Sequence, residues 1–269
     1  LSAGGTGGHM FPALALGVQS AQKIFKKQVK QRRIDERQML QKMNLISPAL
    51  DESGFSTLDV VVEAVVEKMD VKKQVLAQLE RSVAPQCVLA SNTSSLSISE
   101  MQSVLTRPER FAGMHFFNPV HRMPLVEVSL GAERLDEAVS TIYQLAKDLG
   151  KMPIVVKDAP GFLVNRLLVP YMNEAAYLVA EGVPIDHVDR TLVDFGMPMG
   201  PLELVDEVGT DVGEKVLHIL HRAFGERMVP CTLIERVVAA KRMGKKSGRG
   251  LYVYEGEFFN DTATTEIYT

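Results

Sequence analysis

The chain has 269 residues, 46% of them hydrophobic and 23% charged, with a formal net charge of −3. That length can bury a substantial core in one large or two modest domains, and the near-neutral balance offers no basic surface for a nucleic acid or a membrane. No apolar run reaches the roughly 20 residues that span a bilayer and no signal peptide precedes the globular pattern, so the chain reads as soluble, intracellular and cytoplasmic.

The first stretch, LSAGGTGGHMFPALAL, places Gly4, Gly5, Gly7 and Gly8 ahead of a helical run. Such glycines let a backbone turn tightly around a pyrophosphate resting on a helix N-terminus. The G-x-G-x-x-G spacing fails, because from Gly5 it would want glycine where Met10 stands. A preceding strand and a second strand ending in an acid, both required by a dinucleotide fold, are missing from the pattern. From Gly17 to Asn44 the periodicity predicts two helices with a short break, carrying Lys23, Lys26, Lys27, Lys30, Arg32, Arg33 and Arg37. That basic face is either simply solvated or suited to a phosphate-bearing ligand.

DVVVEAVVE reads as a strand buried on both faces of a parallel sheet. A helix over Val71 to Ser82 follows, then a second apolar strand in CVLASNTSS and a helix from about Ser97 to Leu105, with Ser97 or Ser99 as its cap. FAGMHFF and PLVEVSL are shorter strands, Asp136 to Leu149 is an amphipathic helix closed by Gly150, and MPIVVKD is another strand. This alternation predicts βα units and a parallel sheet. After Asp158 the pattern turns helical: Asp158 is a candidate N-cap with Pro160 in the first turn, and only GLYVYEG reads as a late strand. A domain boundary therefore falls near residue 159. Cys87 and Cys231 form no metal or redox motif and read as buried free thiols.

Three stretches carry candidate chemistry. ASNTSS follows an apolar strand, where open parallel sheets bind ligands, though a turn or a helix cap would use the same residues. In GMHFFNPVHRMPLVEV, His115 is either a satisfied core histidine or, if neighbouring strands bring Glu127 beside it, an imidazole fixed in one tautomer by a carboxylate. Asn165 interrupts an apolar helix in PGFLVNRLLVPY, where it either bonds to backbone or reaches into a cleft. No histidine and glutamate spacing fits a zinc site, no carboxylate pair resembles a glycosidase, and no G-x-S-x-G elbow occurs.

The motifs DVVVEAVVE, SNTSS, HFFNPVHRMPLVEV, PGFLVNRLLVPY, PMGPLELVDEVG and GKKSGRGLYVY occur in order. From about Leu16 to Tyr254 the chain thereby resembles the L-3-hydroxyacyl-CoA dehydrogenases of fatty-acid β-oxidation, in form closest to the dehydrogenase part of multifunctional oxidation α-subunits. The resemblance implies an α/β fold: an incomplete doubly wound, Rossmann-type parallel sheet over 16–158, then an all-α substrate and dimerisation domain over 159–255. It implies NAD as cofactor, an acyl-CoA substrate, and a homodimer or a place in a multifunctional complex. His115 would be the base and Glu127 its partner, with Ser94 and Asn165 holding the substrate hydroxyl and thioester. Val65, Val66, Glu67, Lys72, Ser94 and Asn118 match cofactor-contacting positions, and the basic helices near Lys27 lie where the family receives CoA.

The resemblance breaks at both ends. Residues 3–15, AGGTGGHMFPALA, instead resemble the glycine-rich loop of the N-acetylglucosaminyltransferase that makes lipid II, so 1–15 reads as a foreign segment; EFFNDTATTEIYT resembles translated adapter DNA, and 256–269 reads as an artefactual tail. Without the family's first strand, DVVVEAV would expose an unpaired edge and NAD binding would be weak. Two rival readings follow: a UDP-sugar-dependent glycosyltransferase fragment, resting on the N-terminal loop alone, and a non-catalytic dimerisation or docking module.

Overall fold

A computed structural model of the chain describes residues 10–49 and 51–254. The proposed foreign glycine loop and the proposed tail at 256–269 lie outside the described residues. The chain divides into two compact units, Leu1–Asp158 and Ala159–Thr269.

The first unit begins with the two expected helices, α1 (Met10–Lys30) and α2 (Glu36–Met43). The break between them ends at Asp35, whose carboxylate accepts from Gln38 N at 2.6 Å while the Gln38 side chain accepts from Asp35 N at 3.0 Å. This reciprocal cap satisfies two backbone donors that the start of α2 leaves open.

The remaining elements are β1 (Val60–Glu63), α3 (Met69–Ser82), β2 (Val88–Ser91), α4 (Ile98–Gln102), β3 (Phe111–Phe116), β4 (Leu125–Leu130), α5 (Asp136–Asp148) and β5 (Met152–Lys157). They form one sheet in the order β1-β2-β3-β4-β5. The fully parallel sheet expected from the alternation is corrected to a mixed one: β1, β2 and β3 are parallel, β3 and β4 are antiparallel, and β5 runs parallel to β4. The connection from Phe116 to Leu125 is too short for the crossover of a dozen or more residues that a parallel pair needs. DVVVEAVVE is corrected too: only Val60–Glu63 is strand, and its valines are half-buried. Among the described residues β1 pairs with β2 alone, so within them it forms a sheet edge, the unpaired edge expected for DVVVEAV.

The two-residue period of the strands sorts their side chains onto two faces. Val88, Ala90, Met114, Val126 and Val128 form one face, which packs against Ala138, Ile142 and Ala146 of α5, with Val60, Val62 and Phe116 at its margin. By the same alternation Glu63, Ser91, Gly113, His115, Glu127 and Ser129 point to the other face. Gly113 is fixed by that crowding, because a Cβ there would stand 1.9 Å from Ser129 Oγ and 2.9 Å from Ile98 Cδ1.

Asp158, expected to cap the next helix, does something else. Its carboxylate accepts from Ser97 Oγ at 2.7 Å, Ile98 N at 3.0 Å and Ser99 N at 2.8 Å, so it caps α4, where Ser97 is the N-cap as expected. The helix after it begins only at Val164.

The second unit holds α6 (Val164–Ala180), α7 (Ile185–Phe195), α8 (Pro201–Val208), α9 (Thr210–Phe224) and α10 (Thr232–Ala239). Met172, Ala176, Val179, Leu202, Leu217 and Val237 are among the residues of its core. Two buried aspartates tie the helices together. Asp189 of α7 accepts from Leu202 N and Glu203 N at the start of α8, both at 2.8 Å, and from Tyr252 OH. Asp206 of α8 accepts from Leu251 N and Tyr252 N at 2.8 Å and from Tyr254 OH at 3.0 Å. The strand expected in GLYVYEG is thereby corrected: these backbone donors go to a carboxylate, and only isolated bridges at Gly244, Arg249 and Val253 remain. Burial pushes both carboxyls above their ordinary range, and their hydrogen bonds offset this only in part.

Both cysteines are free and buried, and burial raises their thiols. Among the described residues no group of histidine, cysteine or acidic side chains could hold a metal, and no helix is long and apolar enough to cross a membrane.

Candidate active site

The antiparallel register of β3 and β4 makes His115 and Glu127 direct cross-strand partners. Side chains at such a position share a face and approach closely, and here Nδ1 of His115 lies 2.8 Å from Oε2 of Glu127. Glu127 is completely buried and His115 is 6% exposed. A carboxylate only accepts hydrogen bonds, so the geometry puts the ring proton on Nδ1 and the lone pair on Nε2. The His115 ring also leans on Phe117, with centroids 4.5 Å apart.

A second polar cluster collects where β1 and β2 end. Glu67, in the loop after β1, accepts through Oε1 from Thr93 Oγ1 at 2.6 Å, Ser94 N at 2.9 Å and Ser94 Oγ at 3.2 Å. Its other oxygen lies 3.5 Å from the ammonium of Lys72 in α3. Lys72 is fully buried and pairs with Glu63, the last residue of β1, at 2.9 Å. Asn92 joins this end of the sheet to the histidine strand by accepting from Phe116 N at 3.0 Å.

The structure therefore gathers Glu67, Lys72 and Ser94 into one network and pairs His115 with Glu127. Val65 and Val66 lie in the loop between β1 and α3; Val65 N donates to Glu63 at 2.6 Å, while the Val66 side chain is exposed. Asn118 follows β3 and forms a cis peptide bond with Pro119. Lys27 is exposed in the last turn of α1, and among the described residues it joins neither cluster by a hydrogen bond or ion pair. Asn165 is half-buried in the first turn of α6, within the second unit. Reading the sequence missed Glu63, marked Asn92 and Thr93 only as part of the ASNTSS stretch, and assigned Asp158 to the wrong helix. For Glu63 a signal existed: an acid closing an otherwise apolar run must find a buried partner, and the next lysines lie on the following helix.

Comparison with known proteins places both units. Residues 12–159 match the model of the 3-hydroxyacyl-CoA dehydrogenase NAD binding domain, and residues 161–254 match that of the 3-hydroxyacyl-CoA dehydrogenase C-terminal domain. The chain belongs to the 3-hydroxyacyl-CoA dehydrogenase family. Its curated relatives include the fatty acid oxidation complex subunit alpha of Vibrio campbellii, 44% identical over 235 residues that cover 87% of this chain and 33% of that one. The corresponding subunit of Pseudomonas syringae is 46% identical over 245 residues, covering 90% of this chain and 34% of that one. The chain thus spans about a third of the length of these relatives. Among solved structures, M. tuberculosis FadB2 superposes with a TM-score of 0.87 at 36% identity, covering 90% of this chain and 87% of that one. The (S)-3-hydroxybutyryl-CoA dehydrogenase of Ralstonia eutropha gives the same score and identity over 91% and 88%. With both units accounted for by this family, the glycosyltransferase and docking-module readings have no support.

Proposed function

We propose that this chain carries the NAD-dependent oxidation of an (S)-3-hydroxyacyl-CoA to the 3-ketoacyl-CoA, in fatty-acid β-oxidation. The observation that carries this reading is the buried His115–Glu127 pair at 2.8 Å, set on a sheet of the family's NAD binding domain. The donor set at the ends of β1 to β3 fits the nicotinamide riboside half of the cofactor: Glu67 offers a carboxylate oxygen to a ribose hydroxyl, and Ser94 and Asn118 offer a hydroxyl and an amide. Val65 and Val66 extend that contact set, while Lys72, fully buried, serves it through Glu67 rather than by touching the cofactor. Bound NAD supplies an acceptor for the hydride leaving C3.

The chain's own residues manage the proton. Nε2 of His115 takes it from the C3 hydroxyl as the C3–O bond gains double-bond character. The imidazolium that forms is stabilised by Glu127, whose charge is already in place and needs no reorganisation. Ser94 and Asn165 hold the hydroxyl and the thioester, and Lys27, with its neighbours on α1, receives the CoA phosphates. Exposed Phe195, Leu167 and Val193 on the helical unit support a homodimer, and cytoplasmic location follows as part of the same reading.

The test is reduction of acetoacetyl-CoA followed by NADH absorbance, with NADH affinity read in parallel by fluorescence. Turnover abolished by His115→Gln supports the assignment. Turnover no different between the wild-type chain and H115Q would end it.

A further inference from the structure

Within the polar cluster one buried carboxylate has no assigned contact with the proposed substrate or the proposed cofactor. Glu63 is 3% exposed and its carboxylate takes four contacts: Val65 N at 2.6 Å, Ser91 Oγ at 2.6 Å, and Lys72 Nζ at 2.9 and 3.2 Å. Lys72 Nζ also donates to Val65 O at 3.3 Å and stands 3.5 Å from Glu67 Oε2. Glu67 in turn holds Thr93 and both the amide and hydroxyl of Ser94. One continuous relay therefore runs Ser91, Glu63, Lys72, Glu67, Ser94.

We propose that Glu63 is the positioning residue of this site: by holding the Lys72 ammonium on its own side, it leaves Glu67 on Ser94 and so sets the two groups that meet cofactor and substrate. The ammonium sits between two carboxylates and lies nearer the buried one, 2.9 against 3.5 Å. In a buried site the attraction between unit charges is strong and must be satisfied by some partner. With Glu63 neutral, Glu67 is the remaining carboxylate beside Lys72, and the pull on it competes with its three contacts to Thr93 and Ser94. A glutamine at 63 keeps the shape and an acceptor for Val65 N or Ser91 Oγ, so the change isolates the charge. This inference rests on the dehydrogenase reading only for what Ser94 and Glu67 do, not for how they are held.

The experiment reads the Ser94 amide resonance of the full chain, labelled with 15N-serine and free of cofactor, in wild type, Glu63→Gln, Glu67→Gln, and Glu63→Gln combined with Lys72→Met. E63Q should move the Ser94 resonance in the direction of E67Q while that of Ser140 on α5 stays. Removing the ammonium in the double variant should return it toward the wild-type position. If E63Q does not fold, Ser91→Ala leaves Glu63 its charge and one competing donor fewer, which tightens its hold on Lys72 and should give a smaller shift in the opposite direction. With an active chain, KM for NADH should rise about tenfold in E63Q while kcat changes less than about threefold. A Ser94 resonance unmoved in E63Q, or in S91A where E63Q does not fold, overturns the proposal. So does a fall in kcat at unchanged KM. A wild-type chain without dehydrogenase activity would sink the functional reading and leave the Ser94 measurement still decisive here.

Discussion

Replacing Glu127 by glutamine separates the two services this residue performs for His115. The glutamine carbonyl still accepts from Nδ1, so the ring keeps its orientation and its lone pair on Nε2, but the fixed negative charge disappears. The pair is 2.8 Å apart and Glu127 is wholly buried, so the charge acts through protein rather than water. With both charges spread over their groups, an effective separation of about 4 Å and an effective dielectric near 20 give roughly 4 kcal/mol of attraction. The amide dipole recovers part of this, leaving a loss of about 3 kcal/mol in the step that creates the imidazolium, or about a hundredfold in kcat. The assay is oxidation of (S)-3-hydroxybutyryl-CoA at saturating NAD, because in that direction the cation forms on the way to the transition state. KM for the acyl-CoA should barely move. A fall in kcat smaller than about fivefold, in a variant whose melting curve matches wild type, would refute the assignment of Glu127 as the stabilising charge.

The remaining predictions concern stability. Gly113→Ala forces a Cβ to within 1.9 Å of Ser129 Oγ in the packed sheet face and should cost about 1–3 kcal/mol, read as a lowered denaturant midpoint; an unchanged midpoint would mean the face is looser than described. Gly244→Ala combines a φ of +84° with a Cβ 2.3 Å from Asp206 O, a backbone atom that cannot swing aside, and should destabilise the helical unit by more than about 1 kcal/mol in the same measurement. Asp206 has its carboxyl raised by burial, so its protonated form is favoured on folding and the associated stability is lost as pH rises through the folded value. Wild type should therefore gain stability through this residue on acidification from neutral pH toward the ordinary carboxylate range near 4. Asp206→Asn should lower the melting temperature at pH 7, because one amide donor then meets another, and should shrink that acid-side gain; an identical pH profile would exclude Asp206 as its source.

Periodicity and punctuation carried the element order well. The break between the first two helices, a serine cap at 97 or 99 and the Asp136 helix were readable because each depends on residues within a turn of one another. The histidine and glutamate pairing was open to inference, since two short strands joined by a short connector must lie side by side, but sequence alone left a core histidine equally open. What stayed hidden is non-local. Asp158 looked like a cap for the helix that follows it and instead caps one about 60 residues upstream, because three donors at Ser97 to Ser99 already converge there. GLYVYEG alternates like a strand, yet its amides go to Asp206, a partner no local pattern announces. Glu63 was visible as an acid in an apolar run but not as the centre of a relay, since its partners come from three separate elements.

The Asp206 clasp also bears on how the protein is made. Its acceptor emerges from the ribosome 45 residues before the Leu251 amide that it holds. Until those last backbone donors are synthesised, a desolvating carboxylate waits without its partners, and the helical unit cannot close. Within the sheet unit the order is reversed: the donors at Ser97 to Ser99 are made first, and their acceptor Asp158 follows 59 to 61 residues later.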